Sequence, residues 1–225
     1  MPDIEIRRHA DRFVTVTRDI TTHHSFSYGT HYDPDQIGFG AIRALNTECL
    51  APGSGYAAHA HADVEIVTWV VDGVLRHTDT AGGGGVVRPG TAQRLSAGSG
   101  VEHTEVNDSA VEPLTFVQMM LASSHEGAPE YQQVDVPRTS GEMWRSVRVH
   151  ADAELFVVRL ASGQRVTVPG APRSLVHVTR GTVRLRDTDL LAGDEARLTG
   201  AGPYDLSATG DSVGSEALVW QLETS

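Results

Sequence analysis

Cysteine is almost missing from this chain. The single Cys49 excludes an intramolecular disulfide. Its place in a strand-like run predicts a small core residue rather than a nucleophile. Long apolar runs are absent too: no stretch approaches the ~20 residues of a membrane span. The opening Met1-Pro2-Asp3-Ile4-Glu5 carries no apolar segment of a secretory signal. Positive charge is in short supply. Eighteen Lys and Arg against 29 Asp and Glu leave a formal net charge of −11, and the pI is about 5.4. Such a surface repels phosphate backbones, so direct nucleic-acid binding is disfavoured. The Gly82–Gly85 run lacks the lysine and helix start of a phosphate loop, and reads as a flexible turn. These absences predict a cytoplasmic protein with neither membrane nor nucleic acid as partner.

Strand signals fill what remains. Residues 11–18 alternate, and residues 41–50 and 114–121 read as further strands. Glu65–Val71 is rich in β-branched and aromatic residues, as a buried strand is. Asp72-Gly73 turns the chain, and Val74–Asp79 returns as a hairpin arm. The second half has the same grammar. Leu155–Leu160, Arg165–Val168, Ser174–Val178 and Thr182–Arg186 are short strands split by Gly or Pro. Arg180-Gly181 mirrors Asp72-Gly73. Many short strands with regular turns predict an all-β sandwich or jelly roll, here duplicated. The expected boundaries are 1–125 for the first domain, 126–145 for a linker and 146–225 for the second.

Two spacings carry chemistry. His59-Ala60-His61 and His103-Thr104-Glu105 each place two side chains on one face of a strand. On facing strands they would set three imidazoles and a carboxylate around one point. That donor set suits a first-row divalent metal, with positions left open for substrate or dioxygen. One His-x-His pair among 11 histidines is weak alone; here each pair stands where a Gly/Pro turn hands over to a strand. In the second half the matching stretch falls near Pro169–Arg173 and has no such pair. His150 and His177 stand isolated and read as structural or surface residues.

These words resemble a known family. Gly53 ahead of His59-x-His61, then Glu65 and Gly73, is similar to the first cupin motif. Arg88-Pro89-Gly90 leading to His103 is similar to the second. The stretches His59–Trp69, Val87–Gly90 and Ala97–Glu105 resemble pirin, a family of two tandem cupin jelly-roll barrels, a bicupin. His24–Tyr28 with Tyr32-Asp33-Pro34 resembles its bacterial, quercetinase-like branch. The likeness covers most of residues 5–125 and is loose beyond. Ala60 stands where many members have proline.

The resemblance implies one metal in the N-terminal domain, held by His59, His61, His103 and Glu105. Iron is the first expectation, with copper, nickel, manganese or zinc as alternatives. The C-terminal cupin is expected to be degenerate. The resemblance also implies a quercetin 2,3-dioxygenase-like oxidoreductase: dioxygen opens the ring of a flavonol and carbon monoxide leaves, with Glu105 as catalytic base. Two alternatives stand beside it. One is a redox-sensing regulator that binds a protein partner; the other is a different cupin dioxygenase or an isomerase. Glu65, on the His59 face by period two, is expected to hold an imidazole N–H, and Asp63 to be a solvated strand-end residue. His77 and Asp79 read as structural. His23 and His24 are placed near the pocket mouth.

Overall fold

The computed structural model describes residues 3–209 and 214–223, and these are nearly all strand. β1 (Asp3–Arg7) precedes a 3-10 turn at His9–Asp11. Eleven strands follow: β2 (Phe13–Val16), β3 (Ile20–His24), β4 (Ile42–Leu50), β5 (Gly55–His61), β6 (Val64–Asp72), β7 (Leu75–Asp79), β8 (Gly84–Val87), β9 (Thr91–Ser96), β10 (Val101–Asn107), β11 (Leu114–Ala122) and β12 (Glu130–Asp135). The rest are β13 (Glu142–Arg145), β14 (Ala153–Leu160), β15 (Arg165–Val168), β16 (Ala171–Arg180), β17 (Thr182–Leu185), β18 (Thr188–Leu191), β19 (Glu195–Ala201), β20 (Tyr204–Ala208) and β21 (Ser215–Leu222).

Phe13–Asp135 with Val147–Ala151 form one compact unit, and the remaining described residues form the other. The first unit has a large sheet, β12-β9-β6-β11-β4-β3-β2, and a small one, β5-β10-β7-β8. The second has β1-β19-β16-β21-β14-β13 and β15-β20-β17-β18. The orders match: β9, β6, β11, β4 and β3 correspond to β19, β16, β21, β14 and β13, and β5-β10-β7-β8 to β15-β20-β17-β18. The chain is an all-β bicupin in which one pattern occurs twice. At the edges the repeat breaks, and β2 has no counterpart beyond β13. Where β12 closes the first sheet, β1 closes the second, pairing antiparallel with β19.

The expected boundaries therefore shift. Residues 3–12 belong with the C-terminal unit because β1 supplies its edge strand. The expected linker, 126–145, holds β12, paired with β9, and β13, paired with β14. Alternation of moderate polarity suits an edge strand, which hides little surface, so composition alone read it as a linker.

The two cores differ in kind. In one apolar cluster of the second unit Val158, Leu160, Val176, Val178, Val183, Leu206, Ala217 and Val219 are buried. In the first unit two apolar clusters lie apart along the same strands. One contains Ala44, Ile66, Leu95, Val101 and Met120; the other contains Leu50, Val70, Leu75, Phe116 and Leu114. Buried polar residues stand between them on strand after strand: Asn46 and Glu48 on β4, Thr68 on β6, Gln93 on β9, Gln118 on β11. Burying such groups is costly unless each is partnered. This polar belt holds the candidate site.

Candidate metal centre

β5 and β10 pair antiparallel with His103 opposite His59 and Val101 opposite His61. One residue later the register shifts, and Glu105 pairs with Tyr56. β5 thus carries an extra residue, a bulge that re-aims a side chain. The His59, His61 and His103 rings come together with centroids 4.3–5.0 Å apart, and one ligand atom from each lies within 4.8 Å of the others. Glu105 meets the same distance limit with His103 and His77. It joins the trio through His103.

The hydrogen bonds set the tautomers. Nδ1–H of His59 donates to the Ala57 carbonyl at 2.8 Å, which leaves Nε2 with its lone pair. The Asp79 carboxylate accepts Nε2–H of His77 at 3.2 Å. Nδ1 of His77 must then be an acceptor, taking the Gln93 amide at 3.3 Å and Nδ1–H of His103 at 3.5 Å. The carboxylate–imidazole–imidazole chain ends at Nε2 of His103. Asp79 is itself held by the N–H groups of Ala81 and Gly83, both at 2.9 Å.

Three buried atoms in this group have no hydrogen-bond partner: Nε2 of His61, Nε2 of His103 and Oε1 of Glu105. An orphan of this kind costs about 1–3 kcal/mol. All three are donor atoms of metal-ligand type, and they belong to residues already grouped by geometry. The residues present therefore fit a divalent ion with nitrogen and oxygen preference.

The electrostatics agree. Burial, with the neighbouring His59, His77 and His61, lowers the His103 pKa to about 3. Burial and His59 lower that of His61. Neutral imidazole is the form that ligates. Burial raises the Glu105 carboxyl to about 7; Glu48 adds to this, while the Gln118 amide, donating to Oε2 at 2.6 Å, opposes it.

A cavity of about 340 Å³ opens beside the group. His59, Glu105 and Gln118 line its inner end, and Ile20, His24, Tyr28, Tyr56 and Met120 its walls. Glu48 is buried in the wall and accepts the Tyr56 hydroxyl at 2.6 Å and the Thr22 hydroxyl at 2.5 Å.

Several expectations are corrected. Glu65 does not hold an imidazole. Asp63 adopts φ 58 and ends β5, so period two does not run on, and Glu65 lies on β6. There it accepts the hydroxyls of Ser96 and Ser123 at 2.8 and 2.7 Å. Asp63 is exposed in that turn, as expected of a solvated residue. His77 and Asp79 are more than structural fillers, because they orient His103. The signal was the β10–β7 register, Glu105 opposite His77 and His103 opposite Asp79, which sequence order hides. The Gly82–Gly85 run is only partly turn, since Gly84 and Gly85 begin β8. Cys49 is exposed: its neighbour Glu48 takes the inward position on β4. His24 lines the cavity. His150 is not isolated but pairs with Glu130 at 2.9 Å.

The matching stretch of the second unit also moves. β20 pairs with β15 with Leu206 opposite Val166 and Tyr204 opposite Val168. Val166 and Val168 therefore occupy the places of His59 and His61, just ahead of Pro169. Leu206 and Ala208 take the places of His103 and Glu105, and Val183 and Leu185 those of His77 and Asp79. Each polar group of the centre is replaced by an aliphatic side chain.

Comparison with known proteins identifies the family. Residues 6–121 match the model of the Pirin family. The chain belongs to the pirin family. Residues 140–222 of this pirin match the model described as the quercetinase C-terminal cupin domain. A Mycobacterium tuberculosis relative, provisionally named a quercetin 2,3-dioxygenase, is 40% identical over 97% of this chain and 95% of its own. The quercetin 2,3-dioxygenase of Escherichia coli is 29% identical over 88% of this chain and 90% of its own. The crystal structure of the Escherichia coli bacterial pirin YhhW in complex with nickel(II) superposes with a TM-score of 0.91 at 27% identity, covering 99% of this chain and 100% of that one. Among the described residues of this pirin, no helix is long and apolar enough to cross a membrane.

Proposed function

We propose that this pirin is a metal-dependent oxidoreductase of the quercetinase type, acting with dioxygen on a small flavonol-like aromatic substrate. The supporting observation is the set of orphaned donor atoms, Nε2 of His61 and His103 and Oε1 of Glu105, on residues grouped about His103, with His59 and Glu105 lining a cavity. His59, His61, His103 and Glu105 would hold one divalent transition metal, iron first among the candidates. When bound, that ion supplies a Lewis acid that acidifies a coordinated hydroxyl and orients the reactants.

The chain's own groups do the rest. The cavity is of the size that takes a small ligand, roughly 300–1,000 Å³. Ile20, Tyr56 and Met120 offer apolar surface to an aromatic ring, and their packing excludes water. Thr22 and Tyr56 both donate to Oε2 of Glu48, whose carboxylate lines the cavity and favours hydroxyl-bearing substrates. Glu105 sits where the substrate hydroxyl would arrive. Its carboxyl, whose charged form burial disfavours, can take a proton when it turns off the ion. Gln118 fixes Oε2, which leaves Oε1 to ligate the ion or, released from it, to receive that proton. His77 and Asp79 keep His103 in the tautomer that presents Nε2.

The test is elemental analysis of the purified protein, with oxygen uptake and carbon monoxide release on quercetin after loading with iron, copper, nickel or manganese. Stoichiometric metal and metal-dependent oxygen uptake are expected. His59→Ala, His61→Ala and His103→Ala should each strongly weaken metal retention. Full occupancy in all three variants would overturn the ligand set. Bound metal without oxygen uptake would overturn the enzymatic reading in favour of a regulator.

A further inference from the structure

A second group of ligand-type side chains lies outside this cavity, within the first unit. Nε2 of His150 is 2.9 Å from Oε2 of Glu130, and Nε2 of His125 is 3.8 Å from Oε1 of the same carboxylate. One ligand atom from each of the three residues lies within 4.8 Å of the others. The two imidazoles are stacked, with centroids 4.5 Å apart and planes 20° from parallel.

Each residue is held independently. His125 follows β11. Its backbone N–H donates to the Ser123 hydroxyl at 3.0 Å, and its Nε2–H to the Ala128 carbonyl at 2.7 Å. Its ring is seated against two glycines: a Cβ on Gly127 would come 2.7 Å from Cε1, and one on Gly98 3.1 Å from Cδ2. His150 lies on the Val147–Ala151 segment. Its carbonyl accepts the backbone N–H and the hydroxyl of Ser124 at 2.7 and 3.0 Å. Glu130 opens β12. Arg94 donates to its Oε2 at 3.0 Å, which leaves Oε1 on the side of His125.

A plain ion pair would need one histidine. Here a second imidazole is fixed in a glycine cradle facing the same carboxylate, without a hydrogen bond to it. Two imidazoles and a carboxylate with an open position are a donor set that zinc accepts, at bond lengths of about 2.0–2.2 Å. We propose that His125, Glu130 and His150 form a second metal site that binds zinc(II), with water completing the tetrahedron. Binding draws the three ligand atoms inward. Nε2 of His125 exchanges its hydrogen bond to Ala128 for the ion, Nε2 of His150 exchanges its hydrogen bond to Glu130, and in each ring the proton moves to Nδ1. Arg94 stays on Oε2 as the outer partner of the ligating carboxylate. The ion would clip the Val147–Ala151 segment to the β11–β12 connection.

The experiment is zinc(II) titration of chelator-stripped protein by calorimetry, with elemental analysis after desalting and circular dichroism as the folding control. Wild type should take two zinc ions per chain, and the His59→Ala/His61→Ala double variant one. Adding His150→Ala to that double variant should leave none, and adding His125→Ala in its place should do the same. If the double variant binds no zinc, the cluster is an ion-pair network and the proposal falls. It falls equally if zinc in the double variant survives both further substitutions. Failure of the cavity site alone would look different: wild type would bind one zinc, lost in His150→Ala and kept in His59→Ala/His61→Ala.

Discussion

His77 offers no lone pair to the cavity, yet the site depends on it. Its Nδ1 is the acceptor that fixes the tautomer and ring plane of His103. Partners of ligating histidines are worth about 10–100-fold in metal affinity. His77→Ala should therefore lower affinity by about that factor, read by competition with a chelator, while leaving all four proposed ligands in place. Unchanged affinity would remove His77 from the site. At this scale the sequence was readable where the geometry is local. His59, His61, His103 and Glu105 follow from period two on two strands. His77 and Asp79 do not, because their meaning comes from the partner strand. Glu65 was misplaced because a single residue with φ 58, Asp63, resets the alternation.

Glycine governs how closely the site strands approach. At the start of β5, a Cβ on Gly55 would collide with the Glu105 carbonyl and come 2.6 Å from Cα of Val106. Gly55→Val should push β5 off β10 and separate His59 and His61 from His103 and Glu105. Overpacking of this kind costs about 1–3 kcal/mol. Urea unfolding should show that loss, and metal titration a parallel fall in affinity. Lost stability with unchanged affinity would mean that the strands slide without opening the centre. Gly83 has a similar role on the outer side, where a Cβ would strike the Asp79 carboxylate and come 2.7 Å from Cβ of Tyr131. The glycine run reads as slack in the sequence, but part of it is a close approach that lets Asp79 reach His77. Hairpins such as β6–β7 were legible from Asp72-Gly73. Edge strand β12 was not, since its pairing with β9 is the only thing that distinguishes it from a polar connection.

Across the whole molecule one architecture supports two kinds of interior. The first unit interrupts its apolar packing with a polar belt; the second fills the same positions with Val, Leu and Ala. The loss of His-x-His in the second half was plain from sequence, whereas its replacement by Val166 and Val168 needed the strand register. His177 is among the titratable groups that the second unit buries. Burial, with Arg12 and His9, holds the His177 pKa well below its ordinary 6.5. The unfolded chain then binds a proton that the folded chain refuses. The stabilising effect of neutral His177 is complete above the unfolded pKa and is lost as pH falls below it towards the folded value. His177→Leu should flatten part of that acid decline, measured as urea midpoints between about pH 5 and pH 8. A decline identical to wild type would show that His177 does not contribute to it.

The strand that closes the second unit is made long before its partner. β1 pairs with β19 across about 190 residues of chain. At roughly 5–20 residues per second, β1 waits on the order of 10–40 s for its partner to be synthesised. Unpaired strands invite association with other chains, and charges along them are a common defence. Asp3, Glu5 and Arg7 alternate with Ile4 and Ile6 along β1. During that interval these charges act as a built-in guard against aggregation, in a chain whose first strand must wait for one near the other end of the fold.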